Sequence, residues 1–493
     1  PNGSLIFNKP TLNTTVKATV EMYSKAYKGD AVNWTDNFDP AQPSAVHTSY
    51  YRWQFFGSPI QSVDPSTAFY GSWVREYSEP ANSGTYYYQK WIALTNSSVV
   101  TPFKGYEITQ NTAKTLEFQG DLVVGDKALN LTVSGGYGSG YNIFGNSYVS
   151  AIDISKISFP GSGVDKTVYL YNTGTFADWG GSRSVNGSSP GSYYAIPYNA
   201  TPVLGNEIPS MQGFLLIATT NNSTVTIPYN ATTNSLTKNT TMQRVKSVNK
   251  ANKEDGEDEE YQVELIENGL SYLKVDVFGE NSFDRAWVFS QEGTSHEFDN
   301  GWDGRKLNGV KGMCIYSDEN IGSLQVNTID EIDSVYLGFQ AGNDTIYQLE
   351  IVKNRNLSTK YPTLYLTDLL LGTTIELSSD TINYTFTANN SSEPSKRFLV
   401  SRIKNTTNIY TPVIPTNESP MMIYADGNSI KIKNNTNDEA VISLYEISGK
   451  LIKSSVCYKS EEKIFSTNLN IGTYIVDVYA NNNKRYSQKI IIK

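Results

Sequence analysis

The run Tyr474-Ile475-Val476-Asp477-Val478-Tyr479 stops at Asn481-Asn482-Asn483, and Lys489-Ile490-Ile491-Ile492 follows it to the end of the chain. Runs of four to eight β-branched and aromatic residues, bounded by Gly, Asn, Ser or Pro, read as strands. The same signal lies far upstream in Val168-Tyr169-Leu170-Tyr171, which ends at Asn172-Thr173-Gly174. No 3.6-residue apolar stripe or heptad is sustained anywhere. Thr, Ser and Asn are abundant; they compete with helical backbone bonding and suit turns and the wet faces of sheets. The expectation is an all-β chain: tandem β-sandwich domains followed by a small immunoglobulin-like C-terminal β-sandwich.

Composition agrees. The 493 residues carry 40 Lys+Arg against 49 Asp+Glu, a net charge of −9, and charged residues make up only 18 %. With 34 Tyr, 19 Phe and 7 Trp the chain holds too much buriable aromatic area for a disordered acid. Net negative charge without a basic run argues against a nucleic-acid partner. The two histidines, His47 and His296, stand alone, and there is no Gly-x-Ser-x-Gly elbow or phosphate loop. No enzyme is expected, although a glycosidase carboxylate pair need not be close in sequence. Cys314 and Cys457 sit in strand-like runs and are expected to be buried free thiols. No apolar run approaches the roughly 18 residues of a transmembrane segment. The chain opens at Pro1 without Met or a basic-then-apolar leader, as expected of a mature product or of the C-terminal part of something longer.

Composition also divides the chain. Residues Asn221 to Thr241 are almost wholly Asn, Thr and Ser around one short strand. They lead into Lys246 to Glu260, where Glu254, Asp255, Glu257, Asp258, Glu259 and Glu260 form an acidic run suited to a solvated linker or an exposed edge. Between Asn405 and Pro420, Pro412, Pro415 and Pro420 frame an extended spacer. Three domains are expected: 1–240, a surface module; 241–412, a second sandwich; and 417–493.

In the last domain, the strand Ser429-Ile430-Lys431-Ile432 precedes a hairpin from Ala440 to Ile452 that turns at Ser448-Gly449. Then come the Gly472-x-Tyr474 strand start and the closing Lys489-to-Lys493 strand. This segment resembles the type A C-terminal sorting domain of the Bacteroidota type IX secretion system. The residues carrying the resemblance are Gly449, Lys450, Gly472, Tyr474, Lys489 and Lys493. It implies a compact β-sandwich that takes the protein through the outer-membrane machinery to a secreted or cell-surface location and is usually removed afterwards.

A second resemblance covers most of the rest. Trp53-Gln54-Phe55-Phe56-Gly57-Ser58-Pro59, Tyr141-Asn142-Ile143-Phe144-Gly145-Asn146-Ser147-Tyr148-Val149-Ser150-Ala151-Ile152-Asp153 and Ile208-Pro209-Ser210-Met211-Gln212-Gly213-Phe214 are similar to a module recurring near the C-termini of large Bacteroidota surface proteins. Ser147 and Val149 stand where that module usually has prolines. The resemblance implies secretion and a surface setting, with no assigned catalysis. Gly145-Asn146 and Gly213 are expected at turns of positive φ, with Asn142, Asn146 and Gln212 as amides that satisfy backbone groups.

The run Glu297-Phe298-Asp299-Asn300-Gly301-Trp302-Asp303-Gly304-Arg305-Lys306-Leu307 matches an Asp-rich turn of the same proteins. Asp299, Asn300 and Asp303 are candidate oxygen ligands for calcium, the one cofactor in view. The EF-hand pattern with its distal Glu is missing, and an Asx-turn joining two strands is the competing reading.

Two further features bear on function. Trp34, Trp53, Trp73, Trp91, Trp179, Trp287 and Trp302, with Tyr86-Tyr87-Tyr88 and Tyr193-Tyr194, could fill sandwich cores or offer rings for stacking on sugars. Asp333-Ser334-Val335, Asp344-Thr345-Ile346 and Asp380-Thr381-Ile382 resemble the Asp-Ser/Thr-aliphatic acceptor of Bacteroidota O-glycosylation, which makes Ser334, Thr345 and Thr381 candidate acceptors. The functional expectation is a secreted or surface-held, non-catalytic structural or adhesive β-protein. The alternatives are a glycan-binding adhesin, a self-associating filament subunit and, least supported, a glycoside hydrolase.

Overall fold

The computed structural model describes residues 4–6, 15–24, 53–80, 90–95, 97–110, 113–136, 138–172, 192–229, 235–237, 269–280, 282–307, 313–319, 322–342, 344–388, 396–404, 421–426, 429–434, 439–446, 450–459, 461–466, 469–480 and 485–492. His47, Trp34, Trp179, Tyr86 to Tyr88, the acidic run, the proline-framed spacer, Gly449 and Lys493 lie outside the described residues. The chain is all-β with sandwich-like units, and it divides into two compact units, Pro1–Thr406 and Thr407–Lys493. Among the described residues no helix is long and apolar enough to cross a membrane.

The first half of the larger unit is built from short antiparallel sheets. Gln54–Phe56, Tyr106–Gln110, Ser72–Tyr77 and Trp91–Ala93 form one, in that order. Tyr193–Pro197, Thr167–Tyr171, Gly213–Ile217 and Tyr141–Gly145 form another. Lys17–Ser24 pairs with Lys114–Asp121, burying Met22, Leu116 and Phe118 beneath it and leaving a polar outer row. The three turns near Gly57, Gly145 and Gly213 meet where these sheets touch. The backbones of Gly57 and Gly145 are so close that a Cβ on Gly145 would stand 2.2 Å from the Gly57 Cα. Likewise a Cβ on Gly213 would stand 2.4 Å from the Cβ of Phe55.

Asn146 is the buried centre of this junction. Its backbone N–H donates to Gln212 and its carbonyl accepts from Met211, while Gly57 N–H donates to the Met211 carbonyl. The Asn146 amide nitrogen donates to the carbonyls of Ser150 and Ile208, each at 2.9 Å, and lies 3.0 Å from that of Pro209; its oxygen accepts from Tyr148 N–H. Asn142 acts similarly on Thr132 and Gly140. The expectation of positive φ at Gly145 and Gly213 is corrected. Neither has it; the left-handed residue is Met211, at φ 62°. Glycine is required at 145 and 213 because another strand passes where a side chain would be. Ser147, at a usual proline position, accepts a hydrogen bond from Phe103 N–H at 2.7 Å and so satisfies a buried residue with φ 60°.

The second half contributes an eleven-stranded sheet. Its path runs Thr373–Glu376, Tyr365–Asp368, Phe398–Ser401, Ser334–Gln340, Cys314–Glu319, Gly322–Ile329, Phe283–Ser290, Ser271–Phe278, Ile346–Lys353 and Thr381–Thr387, with Gly304–Arg305 beside Gly322–Ile329. Phe283–Ser290 and Gly322–Ile329 run parallel, so the chain between them must cross over; the Asp-rich turn lies in that crossover. Leu273, Val275, Val277, Ile315, Leu337, Leu349 and Ile351 bury one face. Each such side chain contributes roughly 1.5–3 kcal/mol relative to exposure. Two ion pairs are sealed in: Lys306 with Asp284 at 2.5 Å and Arg397 with Asp368 at 3.2 Å. The two stretches of the larger unit share a core, since Leu170, Ala195 and Phe214 belong to the same cluster as Tyr272, Trp287, Phe289 and Val326. Cys314 is a buried free thiol whose pKa burial pushes up to about 12, and Cys457 is likewise buried and free.

The smaller unit faces a three-stranded sheet, Met421–Asp426, Ser429–Asn434 and Glu462–Ser466, against a four-stranded one, Leu451–Cys457, Ala440–Glu446, Gly472–Ala480 and Arg485–Ile492. Ile423, Ile430 and Ile432 meet Ile442, Leu444, Val476, Val478 and Ile490 in its core. This is the period-two pattern of the opening run: Tyr474, Val476 and Val478 point inward.

The junction makes a prediction. Gly145→Ala should lower stability by about 3 kcal/mol or more, because backbone must move to admit the methyl group. Asn146→Ala should cost about 2–4 kcal/mol by stranding buried carbonyls and an N–H. Urea midpoints of the full chain check both; a change below about 0.5 kcal/mol for Asn146→Ala would contradict the assigned role.

Candidate functional site

The Asp-rich turn folds around its own carboxylates. Asp299 accepts from Ser295 N–H at 2.6 Å, and the Asp299 carbonyl accepts from the N–H groups of Trp302 and Asp303. Asp303, wholly buried, receives Asp299 N–H on one oxygen at 2.8 Å and Thr328 N–H on the other at 2.7 Å. Gly301 takes φ 93°, a conformation other residues rarely adopt. Gly304 is held by proximity instead, since a Cβ there would stand 2.7 Å from that of Ala195.

From this loop a set of bonds crosses to the sheet more than a hundred residues earlier. Asn300 accepts from Lys166 N–H at 2.6 Å and donates to the Val164 carbonyl at 2.9 Å, closing a two-pronged amide grip. Asn199 N–H donates to the Gly301 carbonyl, and Thr167 Oγ1 to that of Asp303. Arg305 N–H donates to the Tyr169 hydroxyl, while its guanidinium reaches Asp165 at 3.0 Å and lies over the Phe298 ring at 4.2 Å. Gln325 adds an acceptor for Ala195 N–H. The turn is a clasp joining the two stretches of the larger unit.

Electrostatics follow from this burial. Desolvation raises the pKa of Asp303 to about 7, against the pull of the two backbone N–H groups; the negative charges of Asp299 and Glu319 push the same way as burial. Burial likewise raises Asp165, partly offset by Arg305. Each of the three candidate calcium ligands thus turns an oxygen toward a backbone N–H. Among the described residues no group of three Asp, Glu, His or Cys side chains is placed to hold a metal ion. Asp165, Tyr169, Asn199 and Gln325 escape sequence reading, because their partners lie 102 to 140 residues away and no spacing links them.

The remaining candidates are dispersed. Trp73, Trp91 and Trp287 are buried and Trp53 and Trp302 half-buried, so the described tryptophans form no exposed row. Trp53 packs edge-on to Trp73 and carries Arg75 over its face at 4.1 Å. Tyr193 packs edge-on to Phe55 and Tyr171, and Tyr194 is buried. Ser334, Thr345 and Thr381 are all exposed, each at or next to the start of a strand. In the smaller unit Lys450 is exposed, and Gly472 opens the strand in which Tyr474 is buried with its hydroxyl donating to the Asn470 carbonyl. Lys489 lies on the closing strand opposite Ile475.

Comparison with known proteins agrees with this organisation. Residues 1–401 match the family described as a domain of unknown function (DUF8693), and residues 426–493 match the secretion system C-terminal sorting domain. The minor fimbrium subunit Mfa5 of Porphyromonas gingivalis is 31 % identical over 518 aligned positions, which cover 100 % of this chain and 38 % of that protein. The chain therefore spans about two fifths of this relative's length. Among solved structures, Tp47, the 47-kilodalton lipoprotein of Treponema pallidum, matches at 9 % identity over 43 % of this chain and 65 % of that one, with a TM-score of 0.12. Dimeric latent PorU from Porphyromonas gingivalis matches at 10 % identity over 76 % and 35 %, also with a TM-score of 0.12. Scores so low carry no argument about fold. The sorting domain makes the chain cargo of type IX secretion, released from the cell or held on its surface. Over most of its length the chain belongs to the family of that domain of unknown function, and it ends in a secretion-system sorting domain.

Proposed function

We propose that the chain is a non-catalytic structural and adhesive part of a surface protein, built as a surface module at 1–240, a second sandwich at 241–412 and an immunoglobulin-like sorting sandwich at 417–493. The observation that carries this reading is the sorting domain joined to a body that is similar, along its whole length, to a fimbrium subunit. The clasp supports it: the chemistry-bearing residues of the Asp-rich turn are engaged in holding two β-structures together. In this reading the sorting sandwich engages the outer-membrane export machinery, and Gly449, Lys450, Gly472, Tyr474, Lys489 and Lys493 carry its motif. The outer strands of the long sheet, Thr373–Glu376 and Thr381–Thr387, offer edges for association with a further chain. Hydrogen bonds, rather than calcium, fasten the Asp-rich turn. Ser334, Thr345 and Thr381 are exposed enough to accept O-glycans.

Four measurements test this. Deleting residues 421–493 should leave the protein inside the cell; normal surface display of the truncated chain would refute the export role. Asp303→Ala should cost about 2–4 kcal/mol by stranding two buried N–H groups, with chelator leaving the wild-type melting temperature unchanged. A calcium-dependent melting temperature abolished in the variant would instead reinstate the cation. The pH dependence has a definite sign. The folded-state pKa of Asp303 is raised, so the native state binds the proton more tightly than the unfolded chain. Stability should therefore rise as pH falls from about 7 toward 4, relative to an Asp303→Asn variant in which this titration is absent. Finally, intact-mass and peptide mass spectrometry of the exported protein should find hexose-containing additions at Ser334, Thr345 or Thr381; bare peptides at all three would remove the modification.

A further inference from the structure

The pairing of Lys17–Ser24 with Lys114–Asp121 leaves one face on the core and the other, with residues 17, 19, 21, 23, 115, 117 and 119, exposed. Beside that outer face, between the strand and the short helix Pro65–Ala68, lies an open groove of about 510 Å³, within the range of small-ligand sites. Tyr70 stands at its rim, 79 % exposed. The backbone that presents Tyr70 is fixed. Lys114 Nζ donates to the Tyr70 carbonyl, and Gly71 follows at φ 69°. Asp64, Thr67, Glu117 and Gln119 line the same groove.

Glu117 also has a feature that folding does not call for. It sits directly opposite Glu21 across the strand pair, and both side chains are exposed. Like charges facing each other across a sheet are destabilising. A local rule broken on an exposed face, next to an exposed aromatic ring and a groove, is the pattern of a binding surface.

We propose that this groove binds a neutral glycan. The Tyr70 ring offers an apolar face for the C–H side of a pyranose, as amphipathic aromatics do at wet interfaces. Asp64, Glu117 and Gln119 accept from sugar hydroxyls, and Lys114, Thr67 and the Gln119 amide donate. Carboxylates outnumber the one lysine, so sialylated, sulfated and phosphorylated ligands are repelled. The inference rests on the adhesive reading above and places it at one site.

The test uses the purified full chain on an array of neutral and acidic glycans, with saturation-transfer NMR on any hit. Neutral glycans should bind. Tyr70→Ala should weaken binding at least tenfold, and Tyr70→Phe, which keeps the ring, should retain it. Glu117→Gln should weaken it severalfold. Tyr70 is exposed, so Tyr70→Ala should leave the melting temperature unchanged; should that variant melt early, Glu117→Gln and Gln119→Ala carry the test. Absence of any neutral-glycan binding, binding confined to acidic glycans, or affinity unchanged in these variants would overturn the proposal. Export of the full-length Tyr70→Ala protein to the surface, scored in parallel, separates failure of this site from failure of the surface reading.

Discussion

The body of this protein depends on the contact of two backbones at Gly57 and Gly145, with the Asn146 amide set beside it. Strands packing at that distance leave no room for a Cβ on either residue, so they cannot be held apart by side chains or held together by them. What fastens them is hydrogen bonding to carbonyls that neither sheet's ladder uses. One buried amide reaches the carbonyls of residues 150 and 208 and accepts from the N–H of 148, tying its own turn and the one at 208 to one atom group. A buried carbonyl left without a donor costs about 1–3 kcal/mol, so the amide stabilises mainly by preventing that loss.

The Asp-rich turn repeats the device on a larger scale. Asn300 grips the backbone at 164 and 166, and Asp303 satisfies N–H groups at 299 and 328, so Asx side chains again do the work of a missing strand ladder. Short polar side chains suit this role because they reach backbone groups without filling the core. The abundance of Asn, Asp, Ser and Thr that marks this sequence thus has two uses. On exposed turns it keeps the surface wet. At a few buried positions it welds irregular backbone that regular strands cannot satisfy.

The sequence made some of this legible. Period-two runs such as Val168 to Tyr171 and Tyr474 to Tyr479 appear as strands because alternation is a local property, and the sorting domain was readable because its motif residues lie within about 70 positions. The importance of Gly145, Asn146 and Asp303 could also be read, since glycine and Asx residues in tight runs announce special backbone. The reason for the glycines could not. Positive φ and close approach by a remote strand leave the same residue behind, and only the fold shows that residue 57 lies against residue 145. Asp165, Asn199 and Gln325 were invisible for the same reason: a polar residue in a strand looks alike whether it meets water or a backbone group from another sheet. The Trp residues could be read from sequence as core or as a platform; the described ones largely fill or edge the cores, and the exposed ring at the groove is a tyrosine with no motif around it.

Burial separates the side chains that hold the larger unit together from those that the proposed site would use. The carboxylates of Asp284 and Asp368 are committed to a buried lysine and a buried arginine, pairs whose removal of one partner typically costs about 3–5 kcal/mol. Such groups cannot be released to bind a ligand without opening the sheet. Recognition must therefore use side chains whose loss the fold does not register. On the outer face of the first strand pair, Glu21 and Glu117 meet that condition, since parting them relieves repulsion and breaks no buried contact. An exposed face that sets two carboxylates opposite each other, on strands whose inner side is packed, can meet a hydroxyl-rich partner with side chains that the core does not need, as the proposed glycan site requires.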